Sequence, residues 1–174
     1  MKSAALRRTC DAAHMAEPAH LRVYRFGPGA TFEGGLVAAI ERMELTGGTK
    51  LLDALFVMRD PASGVLAAVD RGAGARDSSF ASLLDFRLDP GRRGAITERT
   101  LAEHKGGVPR DMIEAVGDAV QAGGAVFAIL YAGPPAAVLD EAVQRSGGEL
   151  AADESVDAAT LAEAGPQLTS AVTS

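Results

Sequence analysis

Three segments of this chain with helical periodicity each end in a Gly-Gly pair, and a strand-like run of residues follows each pair. The pairs are Gly47-Gly48, Gly123-Gly124 and Gly147-Gly148. One glycine of such a pair can adopt the left-handed conformation that closes a helix, and the chain can then reverse its direction. The repeated unit therefore predicts a fold in which helices alternate with strands.

The hydrophobic pattern assigns these elements along the 174 residues. Four strands are predicted, at residues 21–26, 50–59, 65–70 and 125–131. Three amphipathic helices are predicted, at residues 31–45, 109–122 and 135–146. A short helix is expected at residues 97–104, and a weakly patterned strand at residues 149–152.

The order strand, helix, strand, strand, helix, strand is typical of a ferredoxin-like α+β sandwich with a βαββαβ core. Both crossover connections are expected to be right-handed. The helices at residues 31–45 and 109–122 are therefore predicted to lie on one face of a four-stranded antiparallel sheet. The helix at residues 135–146 and the strand at 149–152 extend this core at its C-terminal end.

Length and composition predict a single domain at residues 20–153. Residues 1–19 lack periodicity and are predicted to form a flexible leader. Residues 154–174 are small, acidic or hydroxylated, and on that composition they are predicted to form a disordered tail. Residues 71–107 are polar and glycine-rich, and they are predicted to form a long flap within the domain.

Charge and composition exclude several classes of partner. The net charge is −6, aromatic residues make up 5% and tryptophan is absent, so binding to nucleic acid is not expected. Cys10 is the single cysteine, which favours a reducing, cytoplasmic location. The uncharged stretch at residues 119–139 contains Gly123-Gly124 and Pro134-Pro135, which would break a spanning helix. A membrane span is therefore not predicted.

Motifs with known chemistry are weak or absent. Residues 27–29, Gly-Pro-Gly, follow a strand and precede a helix, but the third glycine of a dinucleotide-binding fingerprint is replaced by Phe32. His14 and His20 lie in or next to the leader with Cys10 and Asp11, a grouping that is more typical of solvated side chains than of a metal site. No serine or cysteine lies on a strand-turn-helix elbow. We therefore predict no catalytic residue, no metal site and no cofactor.

Asp53 interrupts an otherwise apolar strand. On simple alternation it shares a face with three apolar residues, namely Leu51, Leu55 and Val57. A buried carboxylate there could act as a general base with a raised pKa or pair with Arg25. The alternative, which we favour, is a charge near the sheet edge or in a salt bridge to a partner.

Three further stretches carry a resemblance to known proteins. They are the opening strand and helix, the run Leu-Asp-Ala-Leu-Phe-Val-Met-Arg-Asp at residues 52–60 followed by Gly64, and the strand at residues 124–130 with its helix. With these, residues 21–157 resemble a family of uncharacterised bacterial proteins loosely grouped with general-stress proteins. The family's Gly-rich apolar segment is replaced here by the charged residues 71–107. The resemblance implies a stress-related role but no activity, cofactor or site residue.

Two functions are compatible with these observations. The first is a non-catalytic binding or assembly module in the cytoplasm. The alternative is a small enzyme or carrier that encloses an apolar ligand between a sheet face and the flap. Asp53, Arg25 and Tyr131 are the candidates for contact with a ligand or partner in either case.

The strands at residues 50–59 and 125–131 are apolar on both faces, and two crossover helices can cover only one face of the sheet. The other face must meet the third helix, the segment 71–107 or a second subunit. We expect a homodimer that packs sheet to sheet, with a dimer mass in analytical sedimentation. A monomer mass that does not change with concentration would contradict this expectation.

Overall fold

A computed structural model describes residues 18–31, 34–46, 48–71, 89–102, 106–134 and 137–174. In these ranges the strands are β1 (Ala19–Phe26), β2 (Lys50–Arg59), β3 (Leu66–Asp70), β4 (Ala125–Ala132) and β5 (Gly148–Val156). The helices are α1 (Gly35–Leu45), α2 (Pro90–Leu101), α3 (Arg110–Asp118), α4 (Ala137–Arg145) and α5 (Gly165–Thr173). The chain is an α+β protein, as the sequence predicted.

The strands form one antiparallel sheet in the order β3-β2-β4-β1-β5. The sheet has five strands and not the predicted four, because residues 148–156 form a full edge strand and not a short addition. At the centre, β4 pairs with β1 on one side and β2 on the other, and its first seven residues are buried. An unbroken apolar run is the sequence expected for a strand that is covered on both faces.

Helices of this chain cover both faces of the sheet. One face packs against α1 and α4 around Tyr24, Phe56 and Phe127, and we call it the α1/α4 face. The other packs against α3 and α5 around Leu21 and Leu130, and we call it the α3/α5 face. The chain thus supplies a helical layer for each of the two sheet faces.

The prediction that the helices at residues 31–45 and 109–122 share a face was wrong, because α1 and α3 lie on opposite faces. The prediction counted β3 as one of the four strands of the βαββαβ core. Instead β3 lies at the sheet edge, and the connection that places a second helix beside α1 is β4–α4–β5.

Residues 154–174 are ordered, contrary to the predicted tail. They complete β5 and form α5, and their apolar residues are buried on the α3/α5 face. These residues are Leu161, Ala164, Leu168, Ala171 and Val172. Leu168 is four residues from Ala164 and from Val172 and three from Ala171, which places these residues on one helix face, and this periodicity outweighs a composition that resembles disorder.

Because α3 and α5 cover the second face, that face needs no second subunit to exclude water. The reason for expecting a sheet-to-sheet dimer is therefore removed, and the homodimer itself stays a prediction.

Helix α2 covers the edge strand β3. Asp89 caps it by accepting hydrogen bonds from the backbone N–H groups of Gly91 and Arg92, so the helix begins at Pro90 and not at residue 97 as predicted. The Thr97 hydroxyl accepts a hydrogen bond of 3.2 Å from the N–H of Ala68 in β3. This contact satisfies an N–H that an uncovered edge would offer to another chain.

The remaining predictions on organisation fall mostly outside the described residues. Residues 1–17 of the leader do so, as do residues 72–88 and 103–105 of the flap, whose described part includes α2. None of the described helices has the length and apolar character needed to cross a membrane.

We predict that Leu168→Ala lowers the free energy of unfolding by about 2–5 kcal/mol, because it removes a fully buried side chain from the α3/α5 face. Leu45→Ala is the matched control, since Leu45 is 84% exposed at the end of α1. We expect the control to change the stability by less than about 0.5 kcal/mol in urea unfolding. Equal effects of the two substitutions would contradict the packing of α5 on the sheet.

Candidate functional site

Polar side chains on β1 reach the α1/α4 face near the start of the strand. His20, Arg22 and Tyr24 occupy alternate positions and therefore point the same way. Arg22 is only 6% exposed and Tyr24 is fully buried, although Arg22 carries a charge that is costly to remove from water. Such a guanidinium must find partners within the protein.

Two carboxylates on different elements bind the guanidinium of Arg22. Its Nη1 donates to both carboxylate oxygens of Asp140, each at 2.8 Å, in the first turn of α4. Its Nε and Nη2 donate to Oδ2 of Asp153 in β5, at 3.2 and 3.0 Å. We call these three residues the Arg22 network. The network joins β1, α4 and β5 through charge-assisted hydrogen bonds.

Tyr24 adds a neutral donor to the Arg22 network. Its hydroxyl donates a hydrogen bond of 2.8 Å to Oδ1 of Asp140. Burial raises the pKa of Tyr24, and the hydrogen bond to Asp140 raises it further against the opposing effect of Arg22. Burial alone would lower the pKa of Arg22, but its interactions with Tyr24 and Asp153 outweigh this and the pKa is raised. Both groups therefore keep their protons at neutral pH.

Tyr131 lies beside this network at the end of β4. Its ring centroid is 5.4 Å from that of His20 and 5.9 Å from Cζ of Arg22. Tyr131 is 2% exposed, and within the described structure its hydroxyl makes no hydrogen bond. Burial raises the pKa of Tyr131, so the phenol is neutral. Buried hydroxyls are generally hydrogen-bonded, so this phenol lacks the partner that its burial would normally require.

His20 and Ser155 are the nearest approach to a nucleophile and a base in this region. They face each other across β1 and β5, with 3.5 Å between Ser155 Oγ and His20 Nδ1. That distance is at the limit for a hydrogen bond, and no carboxylate of the described residues orients the imidazole. The pair is not arranged as an activated nucleophile.

Asp53 is buried on the α3/α5 face and bonds to the backbone. Its Oδ1 accepts from the N–H of Ala54 at 2.8 Å, and its Oδ2 accepts from the N–H of Leu161 at 2.9 Å. Burial raises the pKa of Asp53, and these two hydrogen bonds offset part of the rise. Asp53 thus fixes the turn that precedes α5, which is a structural role.

A β-bulge changes the predicted neighbours of Asp53. The register with β4 shifts between Leu51 and Asp53, so Leu51 opposes Tyr131 while Asp53 opposes Leu130. Asp53 consequently shares a face with Leu55, as predicted, but not with Leu51. Strict alternation fails here because the bulge inserts one extra residue.

Arg25 also binds backbone rather than a carboxylate. Its Nη2 donates to the carbonyl oxygens of Ala171 and Val172 at the end of α5, where a cation interacts favourably with the helix dipole. Arg25 borders a cavity of about 390 Å³ with Glu149.

The three predicted contact residues do not form one site. Arg25 opposes Val126 of β4 whereas Asp53 opposes Leu130, four residues along the strand or about 13 Å at 3.3 Å per residue. Tyr131 lies on the other face of the sheet. Of the three, only Tyr131 lies next to the Arg22 network.

A metal site finds no support among the described residues, which contain no group of three His, Cys, Asp or Glu side chains able to hold an ion. Of the predicted grouping around Cys10, His20 is described and lies in β1, while Cys10, Asp11 and His14 lie outside the described residues.

Sequence reasoning missed Arg22, Tyr24, Asp140 and Asp153. A signal for the first two was present, because three polar side chains at alternate positions of an apolar strand indicate a polar patch on one face. No local signal identified the two carboxylates, since they lie 118 and 131 residues from Arg22 in the chain.

Comparisons of the chain with protein-family models, with curated proteins and with solved structures found no match. Similarity to known proteins therefore gives no indication of function, whereas the geometry of the site does.

We predict that Asp53→Asn lowers the free energy of unfolding by about 1–3 kcal/mol, because the amide can accept from only one of the two backbone N–H groups. Since the pKa of Asp53 is raised, the stability contributed by its protonation is complete below the unfolded pKa and is lost as pH rises through the folded pKa. The deficit of the variant should thus be largest in acid and shrink towards neutral pH, measured by urea unfolding.

Asp60→Asn provides a control of opposite sign. Hydrogen bonds from the Ser63 backbone and hydroxyl and from the Ala62 backbone lower the pKa of the exposed Asp60. Its contribution is present above the unfolded pKa and is lost as pH falls through the folded pKa, so this variant's deficit should shrink in acid. Parallel pH profiles of the two variants would contradict the assigned environments.

Proposed function

We propose that this protein is a non-catalytic binding module that holds a small polar molecule at Tyr131 and the Arg22 network. One observation carries the proposal. The Tyr131 hydroxyl is buried without a hydrogen bond from any described residue, next to a charged network that is otherwise well paired. A bound molecule would supply the missing partner.

The network is also reachable from solvent. The side chains of Asp140 and Asp153 are 34% and 40% exposed, while Arg22 beneath them is buried. A site with partly exposed polar groups above a buried anchor is suited to a small molecule that enters from water and is fixed by a few directed hydrogen bonds.

Fixed protonation states favour binding over chemistry. A general acid or base works best when its pKa lies near the operating pH. The pKa values of Tyr24 and Tyr131 are both raised from a value that is already above neutral, so both phenols stay protonated. These groups are suited to recognition, and the His20–Ser155 pair supplies no activated nucleophile.

The alternative of an enzyme or carrier with an apolar ligand under the flap has no supporting observation among the described residues. Both sheet faces there carry helices, and the side chains of Asp53 and Arg25 are bonded to backbone groups.

We propose that β1–α1–β2 and β4–α4–β5 form a ferredoxin-like unit to which β3 and the other helices are added. The strand order β5-β1-β4-β2 and the pairing of α1 with α4 support this. A stress-related role rests on the motif resemblance alone, and a cytoplasmic location on the single cysteine. A homodimer would use a surface other than the two covered sheet faces.

We predict that small polar compounds of at least one class raise the melting temperature of the protein, because a ligand that binds only the folded state stabilises it. A suitable panel holds amines, carboxylates, phosphates and neutral polyols at equal ionic strength. Tyr131→Phe should abolish most of the increase while keeping the ring packing.

Asp118→Asn is the matched control for this experiment, since Asp118 forms an exposed ion pair with Arg59 away from the Arg22 network. It should respond like the wild type. A panel without any stabilising class, or an increase that Tyr131→Phe leaves unchanged, would refute the proposed site.

A further inference from the structure

We propose that the molecule held at the Arg22 network is an organic cation that carries a protonated amine. This inference rests on the proposed binding function and adds the chemical class of the ligand. It follows from the charge of the network, from the acceptors that its hydrogen bonds leave free and from the aromatic rings beside it.

The charge of the network is the first argument. One guanidinium faces two carboxylates, so the network retains one negative charge. The neutral phenols of Tyr24 and Tyr131 do not alter this balance. A cation would complete the neutralisation of the partly buried charges, and the net charge of −6 on the whole chain favours its approach.

The free hydrogen-bonding groups are mostly acceptors. Asp153 receives both of its hydrogen bonds from Arg22 on Oδ2, so Oδ1 has no partner among the described residues, on a side chain that is 40% exposed. The Tyr131 hydroxyl can accept as well as donate. An alkylammonium group presents three N–H donors and no acceptor, which matches a carboxylate oxygen and a phenol oxygen.

The rings beside the network already accommodate one cation, the guanidinium of Arg22. Cζ of Arg22 lies 5.9 Å from the ring centroid of Tyr131, within the range of a cation–π interaction. The ring of His20 stacks on that of Tyr131 and extends the aromatic surface. Aromatic surface next to a carboxylate is a common setting for the binding of organic ammonium groups.

An anion is poorly matched to the Arg22 network. Arg22 is the cation of the network, and its Nε and both terminal nitrogens already donate to carboxylates. An incoming carboxylate or phosphate would have to displace Asp140 or Asp153 and would add a like charge beside the one that remains.

A metal ion is also poorly matched. Within the described ranges no three side chains of the His, Cys, Asp and Glu classes converge. The two carboxylates of the network are held by a guanidinium, so a divalent cation would have to replace Arg22 to gather them. An ammonium group can use the free oxygens without disturbing these pairs.

The test compares three probes of equal chain length, n-butylammonium, butyrate and n-butanol, by isothermal titration and by amide chemical shifts of the full chain. We expect n-butylammonium to bind more tightly than the other two and to shift the amides of Tyr131 and Asp153. Asp153→Asn should weaken its binding about tenfold or more, as expected for the loss of a charged acceptor. Butyrate binding should not weaken in this variant, because the network then becomes neutral.

Tyr131→Phe is the second variant, since it removes only the hydroxyl, and Asp118→Asn is the control that should leave binding unchanged. A merely structural role of Asp153 would weaken all three probes together and overturn the assignment. Preferential, Tyr131-dependent binding of butyrate or butanol would overturn the amine while leaving the binding function intact. Absence of binding by all three probes and by the whole polar panel would refute both proposals.

Discussion

The burial of β4 on both faces is the constraint on which the rest of the fold depends. A strand with seven consecutive buried residues needs two apolar layers, and this chain supplies both, α1 with α4 on one face and α3 with α5 on the other. Polar groups of the sheet then connect to these layers through backbone hydrogen bonds. Asp53 holds the turn before α5, and Arg25 holds its last carbonyl groups. Without these contacts buried backbone groups would lack partners, which is why residues that suggested chemistry turn out to support packing.

The Arg22 network differs from these anchors because its partners are charged side chains. A buried guanidinium is expensive to desolvate, and two carboxylates with good geometry are needed to offset that penalty. The same pairing has a consequence for recognition. It leaves an excess negative charge near the surface and a buried phenol that the network does not bond. If the proposed function holds, stability and binding are linked at one place, since the interactions that hold α4 and β5 to β1 also set the charge of this surface.

The sequence predicted the α+β class and the bounds of β2, and it placed β1, β3 and β4 to within two residues. These features depend on local periodicity and on glycine pairs, which a chain displays directly. It failed where the outcome depends on distant contacts. Composition suggested disorder for residues 154–174, since the segment has few apolar residues. Those few are enough to order α5 because they pack against the sheet, a contact that the local sequence does not show. Tyr131 is a predicted contact residue, but the charged network beside it depends on Asp140 of α4 and Asp153 of β5, which are far away in the chain.

Two β-bulges place the carboxylates that matter most. In β5 the register shift lies between the partners of Val23 and Tyr24, so Asp153 opposes Arg22. If the pairing continued from Tyr24 and Leu150 without the bulge, Asp153 would lie opposite Leu21. Its carboxylate would then point to the α3/α5 face, away from the guanidinium. The bulge in β2 moves Asp53 in the same manner onto the face of α5. A single inserted residue thus decides which face receives a buried charge, and simple alternation cannot reveal it. The candidate site exists because β5 contains that one residue more than a regular ladder requires.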